Sequence, residues 1–173
     1  MELPTRNALL RRYQDGHAAV VEALAAITPA ELDARPAPDD WTAREVVHHL
    51  ADSEMTSAIR LRRLLAEDNP EIVGYDEDRF RRKLRYDTRP IEASLEAFRL
   101  ARVTTAQILE GAAPEDWLRA GTHSESGRYS VETWLEIYSQ HAIDHADQIR
   151  RARDLNHRFG DTTLGGPVDL IVN

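Results

Sequence analysis

Four long stretches of this 173-residue chain repeat apolar residues at intervals of three and four, the spacing that lines one face of an α-helix. Glycine is sparse, and no stretch of useful length alternates apolar and polar residues as a half-buried strand does. The pattern therefore predicts an all-α fold. The predicted helices run from about Thr5 to Ile27, from Thr42 to Ala66, from Pro90 to just before Gly111, and from Ser130 to about Leu155.

The start of the second helix has a specific sequence signal. Thr42 and Glu45 form a T-x-x-E capping box, in which each side chain satisfies a backbone N–H that the helix leaves unpaired. A Pro-rich connector, residues 29–40, precedes it. The helix is therefore predicted to begin at this box.

The remaining connections predict how the helices are arranged. Residues 67–88 are polar and include proline and glycine, which predicts a long crossover with one short helix from about Asp76 to Leu84. Residues 120–130, AGTHSESGRYS, are predicted to be a loop, and residues 159–173 show no helical pattern. We expect residues 1–173 to form one domain, an up-down four-helix bundle with a long crossover connection.

Composition and charge exclude several classes of protein. The chain contains no cysteine, so disulfides, thiolate metal sites and a cysteine nucleophile are excluded. The formal net charge of −8 argues against a nucleic-acid partner, and the basic cluster Arg60, Arg62 and Arg63 is interpreted as a solvated helix face. No apolar run reaches the roughly 20 residues that span a bilayer, and the N-terminus lacks a signal-peptide core. We therefore expect a cytoplasmic protein with no membrane partner.

Two histidines in the last helix are one turn apart. His141 and His145 are separated by four residues and fall inside the apolar arc of that helix, so both rings are predicted to point into the bundle. A buried imidazole needs partners for both ring nitrogens. Metal ligation supplies one such partner, and core hydrogen bonds to Tyr138 or to glutamates are the alternative.

The second helix adds a third candidate ligand. On a helical wheel His49 lies on the flank of the apolar stripe, whereas His48 lies nearly opposite the stripe and is predicted to face water. Three neutral imidazoles from two helices can occupy three corners of a tetrahedron and leave the fourth open for water or substrate. The remaining histidines have no partner at useful spacing and are predicted to be exposed: His17, His123 and His157.

Other metal motifs fit less well. The H-A-I-D-H segment lacks the glutamate of H-E-x-x-H, because Ala142 stands in its place. Glu45 and His48 match one E-x-x-H, but a di-iron bundle needs a second E-x-x-H as well as two further glutamates, and no second copy is found in a long helix. A serine triad is not indicated, because no nucleophile-elbow signature is present.

The segments that contain these histidines resemble those of a known protein family. WTAREVVHHLADSEMTSAIRLRRLL, residues 41–65, followed by YSVETWLEIYSQHAIDHADQIRRAR, residues 129–153, resembles the DinB/YfiT-like family of metal-dependent hydrolases. Further similarity lies in IVGYDEDRF and HSESG. The resemblance implies an up-down four-helix bundle with one divalent ion, nickel or zinc, on His49, His141 and His145. Some relatives in that family transfer low-molecular-weight thiols, so the resemblance also implies thiol transfer as an alternative activity.

These observations favour a metal-dependent enzyme, hydrolase-like, acting on a small-molecule substrate. A thiol S-transferase and a non-enzymatic metal- or ligand-binding bundle are the alternatives, because hydrolysis and thiol transfer use the same ligands. Glu45 and Glu54, close to His49 on the same helix, are the candidate catalytic acids or bases. A homodimer is left open.

Overall fold

A computed structural model of the chain describes the backbone of residues 1–160 and the side chains of residues 1–154. It is an all-α four-helix bundle with a long crossover, so the predicted fold class is confirmed. The residues predicted as a C-terminal tail lie outside this description from residue 161 onward. The helices are α1 (Leu3–Ala23), α2 (Pro29–Leu32), α3 (Ala43–Ala66), α4 (Glu77–Lys83), α5 (Glu92–Glu110) and α6 (Val131–Gly160), and α1, α3, α5 and α6 form the bundle.

The helix boundaries follow the local signals. At the start of α3 the Thr42 hydroxyl accepts a hydrogen bond from the Glu45 amide at 3.2 Å, and the Glu45 carboxylate accepts one from the Thr42 amide at 2.9 Å. The Ser130 hydroxyl accepts from the Thr133 amide at 3.1 Å at the start of α6. The Pro-rich connector contains the one-turn helix α2, which the sequence pattern did not predict, held by its own capping box.

Side-chain contacts at the helix ends give the direction of each helix. The N-terminal amine contacts Glu132 at 2.7 Å and Glu22 contacts Arg150 at 3.4 Å, so α1 and α6 run parallel. His48 contacts Ser94 at 2.8 Å, and the Arg62 guanidinium contacts the Thr105 hydroxyl at 3.2 Å, so α3 and α5 also run parallel. Trp134 near the start of α6 donates to the carbonyl of Ser57 at 2.9 Å, and His141 further along α6 lies 3.4 Å from His49 nearer the start of α3, so α3 and α6 run antiparallel. Each consecutive pair, α1 with α3 and α5 with α6, therefore alternates up and down. The crossover joins the two pairs by returning the chain along the bundle.

Helix α6 packs closely against α1 because α1 contains a glycine at the crossing. A Cβ atom at Gly16 would lie 2.7 Å from the Cβ of Ala142 and 2.6 Å from Nη2 of Arg102, which is too close for either contact. The bundle interior contains two apolar clusters along its length. One includes Tyr13, Leu61, Trp134 and Leu135, and the other includes Val20, Val46, Leu50, Phe98 and Ile149.

The segment predicted as a loop, residues 120–130, is a β-hairpin, so that prediction was wrong. Strands β2 (Ala120–His123) and β3 (Gly127–Ser130) pair antiparallel, and β1 (Glu71–Ile72) in the crossover pairs parallel to β2. Gly127 has φ +78° at the turn, a conformation that favours glycine. Strands of two to four residues are too short to show an alternating pattern. The sheet attaches the crossover to the start of α6.

Within residues 1–160 no helix is long and apolar enough to cross a membrane.

Candidate metal centre

Three histidines meet between α3 and α6. The helices are antiparallel, which brings His49 near the start of α3 level with His141 and His145 in the middle of α6. The Nε2 atom of His141 lies 3.4 Å from Nε2 of His49 and 3.2 Å from Nε2 of His145. One ligand atom from each ring lies within 4.8 Å of the other two. The structure thus brings together all three histidines that the sequence singled out.

The spacing of these nitrogens fits one tetrahedral metal ion. Nitrogens about 2.0–2.1 Å from a zinc ion at tetrahedral angles lie about 3.3–3.4 Å apart. The two Nε2–Nε2 distances at His141, 3.4 and 3.2 Å, agree with this value. Hydrogen bonding alone satisfies the cluster poorly, because each neutral ring has one N–H and cannot donate to two neighbours through the same nitrogen. Shared ligation of one ion accounts for three ring nitrogens within 4.8 Å of one another.

The surroundings keep the rings neutral, the form that ligates metals. Burial, and to a smaller extent the neighbouring His145 ring, lowers the pKa of His49 to about 3. Burial together with the adjacent rings lowers the pKa of His141 to about 2, and burial also lowers the pKa of His145. Trp41 stands edge-on to His49 with 5.1 Å between ring centroids, so an indole covers one side of the cluster.

A glutamine selects the tautomer of one ligand. The Oε1 atom of Gln148 lies 2.7 Å from Nδ1 of His145. Because an amide oxygen only accepts hydrogen bonds, Nδ1 carries the proton and Nε2 keeps its lone pair for the cluster. The sequence analysis missed Gln148, although its position one turn after His145 on α6 was the available signal.

His48 does not face water, so its predicted exposure was wrong. Its ring is 1% exposed and lies between α3 and α5. Nε2 donates to the carbonyl of Arg89 at 3.1 Å, and Nδ1 lies 2.8 Å from the hydroxyl of Ser94. A one-helix wheel could not show that α5 covers this face. His48 is therefore a core histidine with both nitrogens bonded.

His17 and His123 have no part in the cluster. His17 and His123 were predicted to be exposed, but both are partly buried, and His17 packs 5.8 Å from the ring of Phe98. The side chain of His157 lies outside the described residues.

The two candidate catalytic glutamates have other partners. Glu45 is 3% exposed, closes the α3 capping box and contacts the guanidinium of Arg35 at 2.9 Å. Glu54 is 1% exposed and contacts the guanidinium of Arg102 at 2.6 Å, while the Tyr13 hydroxyl donates to its other oxygen. Neither belongs to the histidine cluster among the described residues. Their predicted catalytic role stays a prediction.

Comparison with known protein families identifies the family of this chain. The sequence profile of the DinB superfamily matches residues 12–149, a range that includes most of the chain and all three histidines. The chain belongs to the DinB superfamily. The predicted family is thereby confirmed.

Individual proteins are similar to this chain in sequence or in structure. A protein of Oceanobacillus iheyensis named as a candidate metal-dependent hydrolase is 36% identical over 119 residues, which cover 69% of each chain. One of Bacillus cereus with the same name is 28% identical over 134 residues, 78% of this chain and 77% of the other. The structure of YfiT from Bacillus subtilis superposes with a TM-score of 0.83 at 26% identity, covering 92% of this chain and 90% of YfiT. It is described as a candidate metal-dependent hydrolase with an unusual four-helix bundle topology.

Proposed function

We propose that this DinB-superfamily chain is a metal-dependent hydrolase of a small-molecule substrate, with one divalent ion, zinc or nickel, held by His49, His141 and His145. The observation that supports it is the convergence of three histidine rings, with Nε2 of His141 at 3.4 and 3.2 Å from Nε2 of His49 and His145 and one ligand atom of each ring within 4.8 Å of the others. Three protein donors leave a fourth coordination position for water or substrate, as in catalytic rather than structural zinc sites. The names of the similar DinB-superfamily proteins agree with this assignment.

The residues of the chain contribute three things to such a reaction. The histidines supply neutral nitrogen donors that are already deprotonated in the folded protein. Gln148 orients the ring of His145, and Trp41 excludes water from the His49 side. A divalent ion bound there supplies Lewis acidity and lowers the pKa of a water or thiol that it binds.

Thiol S-transfer is the second candidate, and the donor set supports it. The cluster in the described residues contains no carboxylate, so the ion would keep its full positive charge. That charge favours an anionic fourth ligand, whether it derives from water or from a low-molecular-weight thiol. The cytoplasmic location and the homodimer stay predictions.

The test separates metal-dependent turnover from simple metal binding. Protein stripped with a chelator and reloaded with zinc or nickel is assayed against chromogenic esters, amides and thiol-transfer substrates. We expect activity only after reloading, and loss of at least 100-fold in His145→Ala. His123→Ala, in the hairpin, is the matched control and should keep full activity. Equal rates in the stripped protein and in His145→Ala would contradict the proposal.

A further inference from the structure

One layer of side chains lies directly beside the histidine cluster in the groove between α3 and α6. Ser53 follows His49 by four residues on α3, and Tyr138 precedes His141 by three on α6, so both are one helical turn, about 5.4 Å, from the cluster. Because the helices are antiparallel, these two turns lie on the same side of the cluster. The Tyr138 ring is 5.6 Å from the His141 ring. Ser53 is 3% and Tyr138 6% exposed.

The crossover adds a phenol to this layer. The Tyr75 hydroxyl oxygen is buried and has no hydrogen-bond partner of good geometry among the described residues. Burial raises the pKa of the Tyr75 phenol to about 12, and the Ser53 hydroxyl is near enough to oppose that shift. Burial raises the pKa of the Tyr138 phenol as well, and the same Ser53 hydroxyl opposes that shift. An unpaired buried hydroxyl costs free energy unless a ligand supplies the partner.

The layer also contains a positive charge without an acidic partner. Arg60, two turns further along α3, is partly buried, and its guanidinium lies 5.8 Å from the Tyr75 ring. It donates to the neutral carbonyl of Val73 at 2.6 Å, and no carboxylate of residues 1–154 lies within 4.0 Å of it. Arg60 lies near enough to oppose the raised pKa values of the Tyr129 and Tyr138 phenols, which burial causes. Arg60, which the sequence analysis assigned to a solvated helix face, is thus partly buried, and its hydrogen bond to Val73 lies at an exposed position.

An acidic group on the short helix of the crossover, Glu77, is near enough to this guanidinium for the two charges to interact. The pKa of Glu77 is raised, mainly by partial burial and to a smaller extent by the charge of Asp78, and the Arg60 charge opposes that shift. Glu77 is largely exposed and forms no ion pair with Arg60 within 4.0 Å. The positive charge of the groove is thus left uncompensated at contact distance.

We propose that Arg60, Tyr75, Tyr138 and Ser53 form a subsite for a carboxylate of the substrate. Ser53 and Tyr138 are one helical turn from the metal ligands, and Arg60 is about three turns from His49, with its guanidinium beside the Tyr75 ring. A guanidinium and two phenols present N–H and O–H donors that match the two oxygens of a carboxylate. The inference rests on the proposed function, because it identifies the substrate class of that site. The substrate is then a small molecule that carries a carboxylate as well as the group that reacts at the metal.

The test uses two thiols that differ only in the group to be recognised. Protein loaded with cobalt(II) is titrated with 3-mercaptopropionate or with its neutral amide, 3-mercaptopropionamide, and the thiol-to-cobalt absorption is followed. We expect wild type to bind the carboxylate at least tenfold tighter than the amide. The ratio should fall to about one in Arg60→Gln and several-fold in Tyr75→Phe. Arg60→Lys, which retains the charge, should keep part of the preference, and Arg99→Gln on the far side of α5 should keep all of it.

Failure of the subsite and failure of the metal function give different results. A wild-type ratio near one, or an unchanged ratio in Arg60→Gln with equal cobalt content, overturns the subsite while leaving the metal centre in place. If neither thiol produces an absorption band, the open metal position is wrong. Phenylglyoxal labelling, mapped by mass spectrometry on protein without metal, then decides the subsite. Protection of Arg60 but not of Arg99 by 3-mercaptopropionate supports it, and equal labelling of Arg60 with and without the thiol overturns it.

Discussion

Glu54 of α3 and Arg102 of α5 form an ion pair of 2.6 Å inside the bundle, where the two side chains are 0% and 2% exposed. Arg102 also donates to the carbonyl of Tyr13 at 3.0 Å and to that of Tyr138 at 3.3 Å. Its guanidinium lies 3.9 Å from the centre of the Tyr13 ring. This one side chain therefore connects α1, α3, α5 and α6 immediately beneath the layer of Ser53 and Tyr138.

Removing one member of this pair should be costly. Glu54→Gln leaves the Arg102 guanidinium buried without its counter-charge, and loss of one partner from a buried pair typically costs about 3–5 kcal/mol. We expect a decrease of that order in the free energy of unfolding, measured by urea denaturation at pH 7. Glu96→Gln breaks the exposed Glu96–Arg99 pair of 2.7 Å and should change it by less than about 0.5 kcal/mol. Similar losses in the two variants would contradict the structural role given to Glu54.

Metal binding should depend on three histidines and not on their buried neighbour. His49→Ala, His141→Ala and His145→Ala each remove a nitrogen of the cluster, so each should lose most of its bound metal after mild chelation. His48→Ala should retain metal but unfold more easily, because its ring is bonded to Ser94 and Arg89 instead. Elemental analysis and thermal melts of the four variants measure both effects. Metal loss confined to His48→Ala would refute the assignment.

The hydrogen bond from His145 to Gln148 should strengthen metal binding. Gln148→Ala removes the acceptor that fixes the His145 tautomer, and such changes typically weaken metal affinity 10–100-fold. Gln140→Ala is the matched control, because Gln140 lies on the same helix and donates to Asp144 on the exposed face. Competition with a chromogenic chelator gives both affinities. If the two variants bind zinc equally well, Gln148 has no part in the site.

The metal-free protein should lose stability as the pH falls below about 6.5. The folded pKa values of His49 and His141, about 3 and about 2, lie below the unfolded value of about 6.5, so the unfolded state binds more protons between these limits. The stabilisation is complete above the unfolded pKa and is lost as the pH falls towards the folded values. Between pH 7.5 and 5.0 we expect a decrease of up to about 2 kcal/mol for each of the two histidines.

Urea denaturation in chelator at the two pH values measures this dependence. His141→Gln cannot be protonated at that position and should show a smaller decrease than wild type, because His49 and His145 still contribute. His123→Gln, in the hairpin, should show the full decrease. An identical decrease in His141→Gln and wild type would exclude the buried cluster as the source of the pH dependence.

Patterns within single segments were enough to predict much of this protein. Helical spacing predicted the bundle and its crossover, and the box of Thr42 and Glu45 predicted where α3 begins. The same spacing selected His49, His141 and His145, because residues four apart on a helix share a face wherever that helix packs. These features are local, so the order of residues along the chain determines them.

Other features depend on which segments meet. His48 is buried because α5 covers it, and Arg102 stands in the buried face of α5 because Glu54 on α3 is there to pair with it. Arg60 and Tyr75 come together only because the crossover folds back over α3. Periodicity gives the direction of a side chain on its own helix but not the group opposite it. The free energy of burying a charge or a hydroxyl depends on that opposite group, so only the tertiary structure decided these roles.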